Sequence, residues 1–305
     1  MIELQRKLIG DTVRNKAFES ALKKAVQPGS HVIDLGSGTG FLAFLASRLG
    51  AKHVTLIESG EILDISKKLA TRNGVKNCTF IKKHSTEVRD IPSCDVLVSE
   101  TLGNYALEEN IIESVEDGKR FLKPGGIIIP GKISQFVAPV VSLRLKSDID
   151  VWPDVGFDLA FDEAREISLN NIYVKAIRPD DLLEGGTQEW DVVDFAKKNK
   201  SIRTKTVTWK DVTTFHGFAL WWDAELVPGI HLSTAPDQPL THWEQIFLPV
   251  LKSVTLKKGE KLELTITSDS RYDVKINLSW NVRHFDATGN VLSDQTLDMC
   301  RGYIS

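Results

Sequence analysis

The sequence predicts an α/β domain on a parallel, doubly wound sheet, followed by an antiparallel β domain of barrel or sandwich type. From Gly29 to Pro130, short apolar strand-like runs alternate with segments whose apolar residues recur every three or four positions. After Pro130 the rhythm changes to apolar–polar alternation, with turn clusters such as KKGEK and DATGN. The first strand-like run leads into VIDLGSGTGF (32–41), which reads as strand end, glycine turn and helix start.

In chain order, the first-half strands are HVIDLG (31–36), HVTLIE (53–58), CTFIKK (78–83), CDVLVSE (94–100) and GGIIIP (125–130). Apolar runs of this kind suit a parallel sheet covered on both faces. The helices FLAFLASRLG (41–50) and EILDISKKLATRNG (61–74) end at Gly50 and Gly74, good helix stops. The second-half strands are IYVKAI (172–177), KTVTWKDV (205–212), FALWWDAEL (218–226), KLELTITS (261–268), VKINLSWNV (274–282) and NVLSDQTLDM (290–299). DLAFDEAREISLNN (158–171) is a helical island among them. Pro130 and Gly131 punctuate the chain and divide it into 1–130, with an N-terminal helix, and 131–305.

A chain of 305 residues, 42% hydrophobic and 26% charged, has the material for two soluble globular cores. A net charge of −3 and a pI near 6.2 give no strong pull towards nucleic acid or an anionic membrane. Cys78, Cys94 and Cys300 lack zinc-like or redox-like spacing, which reads as reduced thiols in a cytoplasmic protein. The opening MIELQRKLIGDTVRNKAF is amphipathic and charged, not a signal core, and no later run is suited to span a bilayer.

Gly36, Gly38 and Gly40 let backbone approach a ligand without Cβ interference. A dinucleotide fingerprint wants G-x-G-x-x-G, whereas the third glycine here arrives one residue early and Phe41 stands in its place. Asp34 suits a cationic or amine-bearing ligand better than a pyrophosphate. Glu58 closes the second strand, where a carboxylate can take both hydroxyls of a ribose. The set fits S-adenosylmethionine, with its ribose, amino-acid tail and positive sulfonium. The bland alternative is a structural turn.

SETLGNYALEENII (99–112) follows the fourth strand, and ligands of open α/β sheets sit beyond such strand ends. Glu100 stands at the strand end and Glu109 follows nine residues later, past a turn at Gly103. Paired carboxylates make a proton-sharing dyad, a metal site or a clamp for a planar cation, and Glu109 alone also reads as a solvated helix residue.

With these motifs the chain resembles the protein arginine methyltransferases, from about Leu8 to the C-terminus. The likeness rests on the SE loop with its second glutamate, on THW at 241–243, and on GDTVRNKAF at 10–18. It implies a Rossmann-like methyl-donor domain followed by a β-barrel domain. It also implies Glu100 and Glu109 on a substrate guanidinium, in a protein, a peptide or a small guanidine, and a His242–Asp11 pair across the domain junction. Arg14 is the implied contact for the methionine carboxylate of the donor. The helical segment near 155–172 takes the place of the family's dimerisation arm, so a homodimer is expected, with a peripheral insertion packed on its own barrel as the alternative.

Departures from the family pattern fall around the acceptor. The aromatic Y-F-x-x-Y helix would lie before Met1, so the lid over the donor is expected to be incomplete or built otherwise. Thr101 and Leu102 replace a tryptophan and a methionine, while Ile111 and Leu8 replace methionines. Glu108 adds a third carboxylate where an aromatic residue is common. The position expected to hold the adenine amino group is Thr86, with Glu87 adjacent. Competing readings are a methyltransferase of a small amine, amidine or other metabolite, a non-catalytic donor-binding scaffold, and a dinucleotide oxidoreductase. The joint presence of Glu100, Glu109, His242 and Asp11 argues against the scaffold, and the glycine spacing against the oxidoreductase.

Overall fold

A computed structural model describes residues 2–210, 213–274 and 276–303. Its first layer is a five-stranded parallel sheet of β1 (His31–Leu35), β2 (His53–Ile57), β3 (Cys78–Ile81), β4 (Cys94–Ser99) and β5 (Leu122–Ile129), in the order β3-β2-β1-β4-β5. Strand β1 is buried along its whole length, which explains its continuous apolar run and makes Asp34 within it conspicuous. The strand order reverses at β1 and β4, and a crevice for ligand opens there beyond the strand ends.

Helices α1 (Ile2–Gly10), α2 (Thr12–Ala25), α3 (Phe41–Arg48), α4 (Ile62–Arg72) and α5 (Ile111–Gly118) accompany the sheet. Helices α3 and α4 stop as expected, since Gly50 and Gly74 take left-handed backbone angles of φ 102° and 70° just past them.

Beyond Ile129 the sheets are antiparallel. Strands β6 (Lys132–Val140), β7 (Tyr173–Lys175), β8 (Gln188–Asp194), β10 (Thr214–Val227), β11 (Ile230–Ser233) and β12 (Gln245–Thr255) form one sheet in the order β7-β12-β10-β6-β8, with β11 on β10. Strands β9 (Ile202–Lys210), β13 (Lys261–Asp269), β14 (Asn277–Phe285) and β15 (Val291–Asp298) form the second, in the order β15-β14-β13-β9. The two close into a barrel around fully buried Trp190, Trp222, Trp280, Phe215, Phe218 and Phe247. Strict alternation of burial along β13 is the pattern read in KLELTITS.

Some element boundaries differ from the sequence reading. The strand expected at 205–212 begins earlier, at Ile202, and its last two residues lie outside the described residues, as does Lys275 of the run 274–282. The helical island is shorter than 158–171. A hairpin of α6 (Leu143–Ile149) and α7 (Asp162–Leu169) packs on the barrel strands β10 and β12. Arg165 ties the hairpin together with two bonds of 2.6 and 2.7 Å to the Asp150 carboxylate and to the barrel with one of 2.9 Å to the Leu251 carbonyl on β12. Phe157 and Leu159 therefore sit in its connecting loop, 90% and 61% exposed, while Phe161 tilts against Trp152 with ring centroids 6.3 Å apart. Among the described residues no helix is long and apolar enough to cross a membrane.

Candidate active site

A cavity of about 440 Å³ opens at the β1–β4 crevice, and its wall includes Arg14, Asp34, Gly36, Gly38, Glu58, Glu100, Glu109 and His242. Residues nearly 230 positions apart in sequence thus meet in one site. Gly36 and Gly38 have φ of 67° and 52°, and a Cβ on Gly36 would stand 2.8 Å from the Thr101 methyl. The loop therefore requires glycine there. Gly40 has another role. It caps α3 outside the cavity, and a Cβ on it would meet Ser66 and Phe44 at 2.5 and 2.6 Å, so it is glycine for packing.

Glu58 accepts hydrogen bonds from the Gly38 and Gly60 backbone N–H groups at 3.0 and 2.6 Å. These bonds hold its carboxylate at the end of β2, facing the glycine loop. Asp34 is 1% exposed and accepts from the Ala43 N–H at 3.1 Å. Burial, reinforced by Glu58 and Glu100 and opposed by Arg14, pushes its carboxyl up to about 8.

Arg14 lines the cavity and also makes an ion pair that the resemblance did not imply. Its guanidinium is paired through Nε, at 2.8 Å, and Nη2 with the Glu100 carboxylate, and through Nη1 with Asn15 at 2.8 Å. Both partners of the ion pair are almost completely buried, and at low dielectric an unpaired carboxylate beside a free guanidinium would be costly. Burial raises Glu100 despite that partner. Glu109 stands on the solvent-open side of the cavity and is raised to about 7, first by desolvation from the surrounding wall, then by Glu100, Glu108 and Glu58. Glu108 lines the same wall and is also raised by burial.

His242 arrives from the barrel. Its Nδ1 lies 2.8 Å from the Asp11 carboxylate, which also accepts the His242 backbone N–H at 2.8 Å. The other Asp11 oxygen caps α2 through the Arg14 N–H at 2.9 Å. Burial works against the Asp11 charge, yet these bonds outweigh it and hold the group below the usual aspartate range. A carboxylate accepting at Nδ1 fixes the proton there and orients the ring.

Neighbouring residues anchor this arrangement. Trp243 and Trp222 donate their indole N–H groups to the Leu102 and Gly103 carbonyls at 2.9 and 3.0 Å, and Asn104 accepts the Glu244 N–H at 2.9 Å. Tyr105 reaches into the barrel and donates to Ser268 at 2.8 Å.

Comparison with known proteins agrees with this architecture. A family model described as the arginine methyltransferase oligomerization subdomain matches residues 132–285, and one described as a methyltransferase domain matches 27–155. The chain belongs to the protein arginine methyltransferase family. It is 28% identical to protein arginine N-methyltransferase 1 of Dictyostelium discoideum over 296 residues, covering 91% of this chain and 86% of that one. It is 28% identical to protein arginine N-methyltransferase 6 of Xenopus tropicalis over 87% of this chain and 83% of the relative. Among solved structures it shares the fold of the Trypanosoma brucei PRMT1 enzyme–prozyme heterotetrameric complex with AdoHcy, with TM-score 0.86, 18% identity, and coverage of 97% and 98% of the two chains. Arabidopsis thaliana protein arginine methyltransferase 10, in an open conformation, gives TM-score 0.84 at 20% identity, covering 98% of each chain.

In this arginine methyltransferase, Thr86 and Glu87 are exposed and outside the cavity. The turn presents Ser85 instead, one residue earlier. Ser85 and Ser37, the latter between the glycines, each line the wall with a buried hydroxyl that has no partner. Sequence reasoning passed over both, although their places beside Thr86 and within GSG were the available signal. Leu8, Thr101 and Leu102 line the cavity, but Ile111 is fully buried in the core and does not.

Proposed function

We propose that the protein is an S-adenosylmethionine-dependent methyltransferase that methylates the guanidinium nitrogen of arginine in a protein or peptide. The observation that carries this reading is the meeting of Glu100 and Glu109 in one cavity with the glycine loop and Glu58. The wall fits the donor. Two orphaned buried hydroxyls, Ser37 and Ser85, await a polar ligand, and Asp34, Glu58, Glu100, Glu108 and Glu109 make the site receptive to positive charge. When bound, S-adenosylmethionine supplies an electrophilic methyl on a positive sulfonium.

A guanidinium is a poor nucleophile because its lone pairs are delocalised and it stays protonated. Glu100 and Glu109 gripping its nitrogens draw positive charge to the held atoms and orient the remaining one for attack. Such positioning contributes several kcal/mol, up to about 10 in favourable cases. The N-methylated product sheds one proton. Glu109, raised to about 7, is able to take it near neutrality, and the His242–Asp11 pair stands at the same cavity as the other route for it. Arg14 holds Glu100 in place for this grip and lines the cavity where the donor's amino-acid tail would lie.

We assign the donor and the Glu100–Glu109 clamp to residues 1–130, and the barrel that faces the substrate, with His242, to 131–305. The exposed Phe157–Leu159 loop supports a homodimer in which this arm docks on a second copy. The free thiols Cys78, Cys94 and Cys300 support a reducing, cytoplasmic setting. Pure protein with methyl-labelled donor, offered an arginine-bearing peptide in one arm and a free small guanidine in another, tests the reading. Label in the peptide supports it. Label only in the small guanidine moves the substrate class, and label in neither overturns it.

A further inference from the structure

A separate cavity of about 400 Å³ lies at the seam between the two barrel sheets. Its walls come from Trp190, Asp191 and Val192 on β8 and from Ile202, Arg203 and Lys205 on β9, with Lys200 just before that strand. These strands are the edges of their sheets, and among the described residues no ladder joins them. None of these residues lines the active-site cavity.

The segment feeding β9 reads KKNKSIRTK (197–205), rich in cations and free of acids. Arg203 donates from Nε to the Asp191 carboxylate at 2.8 Å and from Nη1 to the Lys200 carbonyl at 2.5 Å. Its Nη2 is buried without a partner. Trp190 is 1% exposed, and its indole N–H is likewise buried and unpartnered. Buried donors of this kind are few in folded proteins, and two on one cavity wall call for an acceptor. Asp191 takes Arg203 Nε and the Gln135 amide, the latter at 2.7 Å, both on Oδ2, and neither Arg203 Nη2 nor the indole N–H bonds to it. It cancels the Arg203 charge, while Lys205 donates only to a neutral carbonyl, that of Glu189, at 3.1 Å. The ammonium groups of Lys200 and Lys205 therefore leave the wall positive.

We propose that this seam binds a small-molecule oxyanion, a phosphate or a carboxylate, which accepts from Arg203 Nη2 and Trp190 Nε1 and is neutralised by Lys200 and Lys205. A water molecule would satisfy the two donors but not the surplus charge. The volume suits a small metabolite. Charge-assisted bonds to Arg and Lys supply the affinity, and Arg provides the planar geometry that oxyanions match.

The test is calorimetric titration of the full chain with inorganic phosphate and, in a second arm, with citrate, at ionic strength held constant with chloride. One saturable site is expected, and the stronger arm identifies the anion as phosphate or carboxylate. Lys205→Ala and Trp190→Phe should each weaken it by about tenfold, while binding of S-adenosylhomocysteine stays unchanged. Lys205 is exposed and its removal leaves the core intact, whereas Trp190→Phe leaves a gap in the barrel core, so its melting point is measured alongside and the Lys205→Ala result stands on its own. Absence of saturable binding by either anion up to about 10 mM, or binding indifferent to both substitutions, overturns the proposal.

Discussion

Trp243 donates its indole N–H to the Leu102 carbonyl at 2.9 Å, a bond that joins the barrel to the loop between the two site glutamates. Trp222 does the same for the next carbonyl, at Gly103, and the two indoles meet edge to face at 5.1 Å. The position of Glu100 relative to Glu109 is therefore set by the second domain, although both residues belong to the first. The THW motif works as a unit, in which tryptophan fixes the loop and histidine reaches the cavity beside it.

Replacing Trp243 with Phe keeps a ring but leaves the Leu102 carbonyl buried without a donor, at about 1–3 kcal/mol. Thermal unfolding should move down by a few degrees, and turnover should fall more than S-adenosylhomocysteine affinity. Unchanged melting and turnover would mean that the loop holds its shape without the barrel.

Asp11 both caps α2 and holds His242, and two substitutions separate these tasks. Asn keeps the cap but not the charge, so Asp11→Asn should lower turnover with little loss of stability. Asp11→Ala should also lose the cap, about 0.5–2 kcal/mol. Equal melting points for the two variants would show that the cap contributes nothing.

The raised carboxyls give a signed pH dependence. Asp34 at about 8 and Glu109 at about 7 bind more protons in the folded chain than in the unfolded one. Their contribution to stability therefore falls as pH rises from the ordinary carboxylate range through 7 to 8. Asp11, held low, acts oppositely, and its contribution is lost as pH falls through its depressed range. A bound sulfonium favours the ionised carboxylates, so S-adenosylmethionine should gain affinity relative to the uncharged S-adenosylhomocysteine between pH 6 and 8. A ratio that stays flat across this range, measured by calorimetry, would separate the sulfonium from these groups.

Most of the fold was legible because local pattern decided it. The buried strand β1 had to be apolar, and the alternating burial of β13 had to alternate in sequence. Strands β6 and β12 were not read, and each carries a proline, Pro139 and Pro249. Pro249 sits opposite Gly217, where the β10–β12 register shifts, a bulge that tolerates it. Glu100, Glu109, His242 and Asp11 were legible as motifs. The Arg14–Glu100 pair was not, since it depends on which charges share a dry pocket 86 positions apart. Gly40 was misassigned to the ligand because a packing glycine and a binding glycine look alike in sequence.

The arm offers a test of assembly. Phe157→Ser combined with Leu159→Ser removes the apolar tip without touching the Arg165–Asp150 pair that holds the hairpin together. Light scattering at micromolar concentration should give a dimer for the wild type and a monomer for the variant. A monomeric wild type would remove the docking role of the arm.

The central claim is that Glu100 and Glu109 grip a guanidinium together. Glu100→Gln is the poorer probe, because it leaves Arg14 buried against a neutral partner, a defect of about 3–5 kcal/mol. Glu109 has no such partner, and Gln preserves its size. The most direct measurement is the single-turnover rate of methyl transfer to an arginine peptide by Glu109→Gln, with S-adenosylhomocysteine binding measured alongside. The clamp predicts a rate lower by roughly ten- to hundredfold, with binding near that of the wild type. A wild-type rate from Glu109→Gln would contradict it and return Glu109 to the role of a solvated residue at the cavity mouth.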